Sequence, residues 1–283
     1  ADIGLALTDE VDGKLVALLK VVGTVEDTAG TAMLPIFGIK NADQAVLAAI
    51  TDGFIKPNEI INCTYTYEYY APSYTPKCMS RHNHLNVITA IEKSCNYFFF
   101  EVGRLLGIDK IDEHMQRLGL GMSTGIELYE RTGILAGPDY RDENGLGKWS
   151  PGDTLQAAIG QSDNLFTPLQ MATYISTVAN SGERHTASIL KRVTTYDNAE
   201  TLYTREPIVL SRVDSAEENY EAVRYGMYLV STQKDGSAVD TFGDYHIPVA
   251  SKTGTAQIGE GKTNNGIFVC FAPYDDPEVA VAI

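Results

Sequence analysis

Apolar and polar residues alternate on both sides of a short polar break near the start of the chain, in IGLALTDEVDGKLVALLKVVG. Alternation with a period of two is typical of a β-strand that buries one face. The break, Val11-Asp12-Gly13-Lys14, contains Asp-Gly, a pair that favours the tight turn of a β-hairpin. The sequence therefore predicts that two antiparallel strands open the chain.

Helical spacing of apolar residues replaces this alternation over residues 42 to 50, and Gly53 ends that first helix. A polar, aromatic loop, TYTYEYYAPSYTPK, leads to a second helix predicted near residues 86 to 106. Residues 108 to 180 are predicted to be mostly helical, with loops rich in Gly, Asp and Pro. The middle of the chain is therefore expected to be helical.

Strand-like segments return after residue 180. They are SILKRVTTYD, IPVASKTGTAQIG, GIFVCFAPYD and EVAVAI, with an amphipathic helix, YEAVRYGMYLVSTQ, between them. Strands at both ends and helices in the middle predict an α/β fold of the α+β type, with an antiparallel sheet flanked by helices and a helical lobe. We expect one domain over residues 1–283, with a sheet lobe (1–38 and 181–283), a helical lobe (39–180) and a cleft between them.

The formal net charge of -15 over 283 residues argues against nucleic acid as a partner, because phosphate binding depends on clustered Lys and Arg. No apolar run approaches the roughly 20 residues that span a bilayer. The chain stops inside an apparent strand, so we expect the natural protein to continue beyond it.

One candidate for chemistry is the polar run Ser251-Lys252-Thr253-Gly254-Thr255 within a predicted strand. Alternate residues of a strand share a face, so Lys252 and Gly254 point one way and Thr253 and Thr255 the other. A cation beside a residue without a side chain lets an extended peptide approach the backbone and present a carboxylate. Taken alone, the triplet favours a solvated edge strand over a peptide-binding strand, because short motifs often match by chance.

A second candidate is Ser94-Cys95-Asn96, in the second predicted helix. Residues two apart on a helix lie on nearly opposite sides. Ser94 and Asn96 therefore serve one cleft only if the backbone departs from the α-helix near Cys95. The alternative is a small polar interruption of a core helix.

The cysteines raise the question of cross-linking or metal binding. Cys63 and Cys78 flank the Tyr-rich loop, and His82 and His84 follow closely. This spacing leaves three alternatives open: a Cys63–Cys78 disulfide, a zinc site, or free thiols. The other two cysteines are Cys95 and Cys270.

Four longer stretches follow one another along the chain: AIEKSCNYFFFEVGRLLG, WSPGDTLQAAIGQSDNLFTPLQMATYISTVANSG, GSAVDTFGDYHIPVASKTGTAQ and FVCFAPYDDPEVAVAI. In this order they resemble the transpeptidase domain of penicillin-binding proteins, whose S-x-x-K, S-x-N and K-T-G motifs surround one cleft. The resemblance covers essentially the whole chain and is closest to the class B, monofunctional members.

The resemblance implies a reaction and roles for matched residues. In the family, the S-x-x-K serine attacks the D-alanyl-D-alanine carbonyl of a peptidoglycan stem peptide, or a β-lactam ring, and the motif lysine is its base. By similarity, Ser94 relays protons and Asn96 holds the substrate amide. Lys252 lies near the substrate carboxylate, and the Thr255 amide contributes to an oxyanion hole. The implied substrate-binding strand is Lys252-Thr253-Gly254-Thr255.

The S-x-x-K pair itself is missing from the expected place. FGIKNADQAVLAAITDGFIKPNEIINC matches the family's P-G-S-x-x-K helix without a gap, with Gly38 at the glycine, Ile39 at the serine and Ala42 at the lysine. No serine precedes Ser73. Removing a nucleophile and its base costs on the order of a millionfold in rate. The sequence therefore predicts a transpeptidase-like domain that has lost the acylation step.

Two alternatives to this hypothesis remain. The chain is an active D,D-transpeptidase if Thr31 or Cys63 serves as an unrecognised nucleophile, although threonine without a positioned base is inert and Cys63 lies past the expected helix. Alternatively, the chain is a scaffold of a cell-wall synthesis complex whose cleft binds nothing.

The resemblance also implies a location. Membrane-tethered class B proteins carry an N-terminal transmembrane helix and a further extracytoplasmic module, so we expect this domain on the outer face of the bacterial membrane, among other cell-wall synthesis proteins. That location favours a Cys63–Cys78 disulfide, and zinc held by Cys63, Cys78 and His82 stays open. No role is assigned to His84, His114, His185 or His246.

Overall fold

Strands from both ends of the chain form one five-stranded antiparallel sheet. The computed structural model describes residues 5–11, 14–20, 36–37, 43–256 and 265–283. In spatial order the sheet contains β11 (Ala250–Ala256), β12 (Asn265–Ala272), β13 (Val279–Ala282), β1 (Leu5–Val11) and β2 (Lys14–Lys20). β11 therefore lies at one edge of this sheet within the described part of the chain.

The remaining strands among the described residues form four small two-stranded sheets. The pairs are β3 (Ile36–Phe37) with β6 (Leu165–Phe166), β4 (Ile61–Cys63) with β5 (Asn83–Leu85), β7 (Glu183–His185) with β10 (Val209–Arg212), and β8 (Arg192–Thr194) with β9 (Thr201–Thr204).

The helices lie mostly in the middle of the chain, as the sequence predicts. They are α1 (Asp43–Thr51), α2 (Val87–Glu92), α3 (Asn96–Leu106), α4 (Ile108–Arg117), α5 (Pro138–Asn144), α6 (Pro151–Ala158), α7 (Pro168–Ala179), α8 (Glu217–Thr232) and α9 (Val239–Phe242). None of these described helices combines the length and the apolar character that crossing a bilayer requires.

The predicted hairpin at the start of the chain is confirmed. β1 and β2 pair antiparallel in register from Leu5 opposite Lys20 to Val11 opposite Lys14. The turn residues, numbers 12 and 13, lie outside the described residues. Together with the helices, the antiparallel sheet confirms the predicted α+β fold class, while the lobe boundaries stay a prediction.

The helix predicted over residues 86 to 106 is two helices, so that prediction is wrong in one respect. Ser94, between α2 and α3, has a left-handed backbone with φ +48°, and Cys95 is extended at φ -74° and ψ 100°. Neither conformation continues an α-helix. The backbone therefore departs from the α-helix near Cys95, which is the condition under which Ser94 and Asn96 can face one cleft.

Helix α7 passes through the interior and supports the sheet. All twelve of its residues are buried, and it packs against β1, β2 and β13. Three of its hydroxyls bond within the helix: those of Thr173, Ser176 and Thr177 donate to backbone carbonyls three or four residues earlier. Burial of these hydroxyls therefore leaves no unsatisfied hydrogen bond.

Helix α8 joins the two elements that carry the candidate motifs. It packs against β11 and against α2, where a side chain on Gly226 would lie only 2.9 Å from Cβ of Ile91. The hydroxyls of Ser231 on α8 and Ser251 on β11 form a buried 2.7 Å hydrogen bond. α8 therefore fixes the end of α2 relative to the strand that carries Lys252.

Candidate functional site

The candidate residues of the two motifs meet across the break between α2 and α3. Lys252 is only 3% exposed, and its Nζ donates hydrogen bonds to Oγ of Ser94 at 2.6 Å and to the carbonyl of Thr253 at 2.9 Å. The left-handed backbone at Ser94 turns its side chain toward β11. The structure thus brings together a buried cation and a hydroxyl that are far apart in the sequence.

A cavity of about 320 Å³ opens beside this pair, and we call it the cleft. Its volume lies in the range of small-molecule sites, about 300 to 1,000 Å³. Asn96, at the start of α3, is 8% exposed and contributes to its wall. The predicted residues that line the cleft are Ser94, Asn96, Lys252, Thr253 and Thr255.

The strand alternation predicted for the K-T-G segment does not decide which residues line the cleft. Lys252, Thr253 and Thr255 all line it, although neighbours on a strand point to opposite faces, and Gly254 is not among the lining residues. The reason is that β11 is an edge strand, so the long side chain of Lys252 reaches past the strand and returns to the carbonyl of Thr253.

Two side chains that the sequence did not single out hold β11 at the cleft. Ser237 bonds Thr253 through a 2.5 Å contact between their hydroxyls. Gln161, just after α6, donates from Nε2 to the carbonyl of Thr255 at 3.0 Å. These contacts hold the edge strand at Thr253 and at Thr255.

Asp43, the first residue of α1, is a buried carboxylate near the cleft. Its Oδ2 accepts a 2.6 Å hydrogen bond from the Tyr174 hydroxyl on α7, which ties α1 to the central helix. Burial raises the pKa of the Asp43 carboxyl, whereas the Tyr174 bond and the positive charge of Lys252 act in the opposite direction. Asp43 is therefore part of the electrostatic environment of Lys252.

The positions expected for the nucleophile and base, Ile39 and Ala42, lie outside the described residues, as does Thr31. The other alternative nucleophile, Cys63, is fully buried and is not among the residues that line the cleft. A thiol in that position does not meet a substrate bound beside Ser94. The structure therefore disfavours Cys63 as the attacking group.

Cys63 instead belongs to a cluster of four potential metal ligands. The sulfur of Cys78 lies 3.8 Å from the sulfur of Cys95 and 3.5 Å from Nδ1 of His82, and the sulfur of Cys63 lies 3.8 Å from the same Nδ1. All four donor atoms are within 4.8 Å of one another. We call these four residues the thiol cluster.

The spacing of the thiol cluster suits a tetrahedral zinc ion. With Zn–S near 2.3 Å and Zn–N near 2.0 Å, tetrahedral geometry places two sulfurs about 3.8 Å apart, and a sulfur and a nitrogen about 3.5 Å apart. His82 is also held in place, because its Nε2 lies 2.8 Å from Oγ of Ser80. A partner of this kind orients a metal-binding imidazole.

The expected Cys63–Cys78 disulfide is absent, so that expectation is wrong: all four cysteines have free thiols. The hydrogen bond with Cys95 lowers the pKa of the Cys78 thiol, and the same interaction raises the pKa of Cys95. Three buried sulfurs and an imidazole nitrogen around one point are typical of a metal site rather than of a cross-link.

Sequence reasoning identified Cys63, Cys78 and His82 but missed Cys95. This residue lies between Ser94 and Asn96, so the thiol cluster and the cleft share one backbone turn. The signal was present in the sequence, because Cys95 is the next Cys or His after His84. His84 itself is exposed and is not part of the cluster.

Comparison with known proteins gives a consistent match. A family model described as the penicillin binding protein transpeptidase domain matches residues 44–283. The chain is 28% identical over 263 residues to the peptidoglycan D,D-transpeptidase MrdA of Haemophilus influenzae, a match that covers 84% of this chain and 39% of that protein. The chain thus spans well under half the length of this relative.

Solved structures share the fold. Pseudomonas aeruginosa PBP2 in complex with WCK 5153 superposes with a TM-score of 0.81 at 21% identity, covering 99% of this chain and 68% of the other. PBP2 of Helicobacter pylori, in a complex with MreC, gives a TM-score of 0.80 at 24% identity, covering 99% and 56%. At these identities the likeness establishes the fold.

Proposed function

Because this chain belongs to the transpeptidase domain family of class B penicillin-binding proteins, we propose that it recognises D-Ala-D-Ala stem peptides, or β-lactams, in bacterial cell-wall synthesis without being acylated. The observation that carries this proposal is the contact between Lys252 and Ser94 at the wall of the cleft. It places a buried cation at an edge strand, where an extended peptide ending in a carboxylate fits.

The residues around the cleft offer complementary polar groups for such a peptide. The Lys252 ammonium attracts the terminal carboxylate, and the hydrogen bond that it donates to Ser94 leaves the serine proton available to the ligand. The Asn96 amide presents both a donor and an acceptor to a peptide group. The backbone of β11 supplies further hydrogen bonds along Thr253, Gly254 and Thr255.

Acyl transfer needs an activated nucleophile in addition to these binding groups. In the sequence match, Ile39 and Ala42 occupy the positions of the serine and the lysine, and neither side chain reacts. Ser94 and Lys252 are then left with binding and electrostatic roles. We therefore propose that the ligand binds reversibly.

The cellular setting is proposed from the relatives. MrdA is named a peptidoglycan D,D-transpeptidase, and H. pylori PBP2 forms a complex with MreC. These names support other cell-wall synthesis proteins as partners of this chain. We propose that the full protein is held at the outer face of the bacterial membrane by a segment before this domain.

Titration calorimetry with a pentapeptide ending in D-Ala-D-Ala tests the proposal, with the same peptide ending in L-Ala-L-Ala as the control. The expected result is saturable binding of the D,D peptide, which mass spectrometry then recovers intact. Release of D-alanine would instead support an active enzyme, and lack of saturable binding would support a scaffold.

We further propose that the thiol cluster binds one Zn²⁺ ion. Cys63, Cys78, His82 and Cys95 provide four protein ligands, a number that leaves no position for water or substrate and is typical of structural zinc. The ion would supply a fixed cross-link and not a reactive group. Its effect on the cleft would come through Cys95, which is flanked by Ser94 and Asn96.

A further inference from the structure

A groove leads away from the cleft along the face formed by the Tyr-rich loop and α6. A second cavity of about 450 Å³ shares Met79, Asn96 and Thr255 with the cleft. It shares Gln156 with a third cavity of about 340 Å³. The three cavities are therefore adjacent, and a ligand seated in the cleft can extend along them.

The third cavity, which we call the tyrosine cavity, is lined by Tyr70, Ser73, Tyr74, Gly152, Asp153 and Gln156. Its shape depends on a close contact, because a side chain on Gly152 would lie 3.0 to 3.3 Å from atoms of the Tyr74 ring. Gln156 donates a 2.5 Å hydrogen bond from Nε2 to the Tyr74 hydroxyl. The Tyr74 ring is thus held in place from two sides.

The charged groups around the tyrosine cavity are already engaged with protein partners. The Asp153 carboxylate accepts hydrogen bonds from the backbone N–H and the hydroxyl of Ser150 and lies 2.9 Å from Nη2 of Arg141. Arg141 also pairs with Asp163 at 2.5 Å. A cavity with aromatic walls, whose nearby guanidinium is already taken up by two carboxylates, suits a neutral ligand better than an anion.

We propose that the tyrosine cavity binds an N-acetylated sugar ring of the glycan strand that carries the stem peptide held in the cleft. This inference rests on the function proposed above. The C–H face of a pyranose ring packs on an aromatic ring, while its hydroxyl and acetamido groups bond the polar rim at Ser73, Asp153 and Gln156. The sugar is covalently joined to the peptide, so it reaches the cavity at a high effective concentration.

Calorimetry with two ligands tests the inference on the wild-type chain. One ligand is the D-Ala-D-Ala pentapeptide, and the other is the same pentapeptide on its N-acetylated disaccharide. We expect the disaccharide-peptide to bind about fivefold more tightly or better, because one aromatic contact contributes on that scale. Equal affinities would overturn the glycan inference and leave the proposed function intact, whereas lack of binding by either ligand would overturn both.

Two variants test whether the gain in affinity comes from the tyrosine cavity. A second variant is needed because Tyr70 is partly buried and its loss can disturb the loop. Tyr70→Ala removes an aromatic wall. Ser73→Trp, at an exposed position, fills the cavity without removing core packing. We expect both variants to abolish the difference in affinity between the two ligands. The control is Tyr129→Ala, because Tyr129 is 85% exposed and lies outside the groove, and we expect this variant to keep the difference. A difference that persists in Ser73→Trp would contradict the assignment.

Discussion

The ammonium group of Lys252 on β11 lies 2.6 Å from the hydroxyl of Ser94, which sits in the break between α2 and α3. The contact joins the edge of the main sheet to the helical part of the chain. Because Lys252 is buried, its charge acts in an environment of low dielectric constant, where interactions with a ligand carboxylate are strong. We regard this pair as the centre of the candidate binding site.

Replacing the cation should therefore weaken peptide binding. Lys252→Met keeps most of the side-chain volume but removes the charge, and we expect the affinity for a D-Ala-D-Ala pentapeptide to fall about 30-fold, the cost typical of a lost charge-assisted contact. Calorimetry gives the affinity directly. Lys56→Met, at an exposed lysine that does not line the cleft, is the matched control. Unchanged affinity in Lys252→Met would place the carboxylate elsewhere.

Metal removal should destabilise the turn that carries Ser94 and Asn96. We expect the purified chain to contain one zinc per molecule by elemental analysis, and chelation to lower the melting temperature by several degrees or more, because a closed zinc site contributes directly to folding. Cys95→Ser should lose the metal and show the same loss of stability.

The matched control for this experiment is Cys270→Ser. Cys270 is a buried cysteine on β12 that does not belong to the thiol cluster, so its replacement should leave the zinc content unchanged. The metal assignment would be refuted if the chain held no zinc after expression with the metal present and if chelators did not change its melting temperature.

Asp112 on α4 should make the stability of the fold depend on pH. Burial, with the nearby carboxylates of Asp109 and Asp139, raises the pKa of Asp112 to about 7. The folded state then retains a proton that the unfolded state loses above its ordinary value near 4. This group therefore contributes stability at low pH that is lost progressively as the pH rises from about 4 to about 7.

The variant Asp112→Asn removes this titration. We expect it to be more stable than the wild type by about 1 to 3 kcal/mol at pH 8 and equal to it near pH 4. Urea denaturation at both pH values measures the difference. A variant that gains no stability over the wild type between pH 4 and pH 8 would contradict the assignment.

Restoring the missing pair should restore acylation. The double substitution Ile39→Ser with Ala42→Lys recreates the serine and lysine of the family's S-x-x-K motif at the motif's own spacing. We expect a fluorescent penicillin to label the double variant covalently, and neither single variant to be labelled at a comparable rate. A folded double variant that still escapes labelling would show that the sequence match places the pair wrongly.

The sequence predicted the parts of the fold that depend on local pattern. The β1–β2 hairpin followed from alternation and Asp-Gly, and the need for a break near Cys95 followed from the spacing of Ser94 and Asn96. The break splits a helix that the apolar pattern alone predicted as continuous. A left-handed residue such as Ser94 leaves no periodic signal, because a single backbone angle changes the direction of the chain.

Features that depend on tertiary contacts could not be predicted in the same way. Asp43 was not recognised because its neighbours Tyr174 and Lys252 are far along the chain. Cys95 follows His84 closely, but the sequence does not show that its sulfur faces Cys63, Cys78 and His82. Strand alternation also failed to predict that Lys252 lines the cleft together with Thr253 and Thr255, since a long side chain at a sheet edge can reach past the strand.

The most direct test of the account is exposure of the wild-type chain to a fluorescent penicillin, followed by intact-mass spectrometry. We predict no covalent adduct, because the sequence match puts Ile39 and Ala42 at the positions of the family's nucleophile and base. A stoichiometric label that hydroxylamine removes would show an acyl-enzyme on this chain and contradict the account.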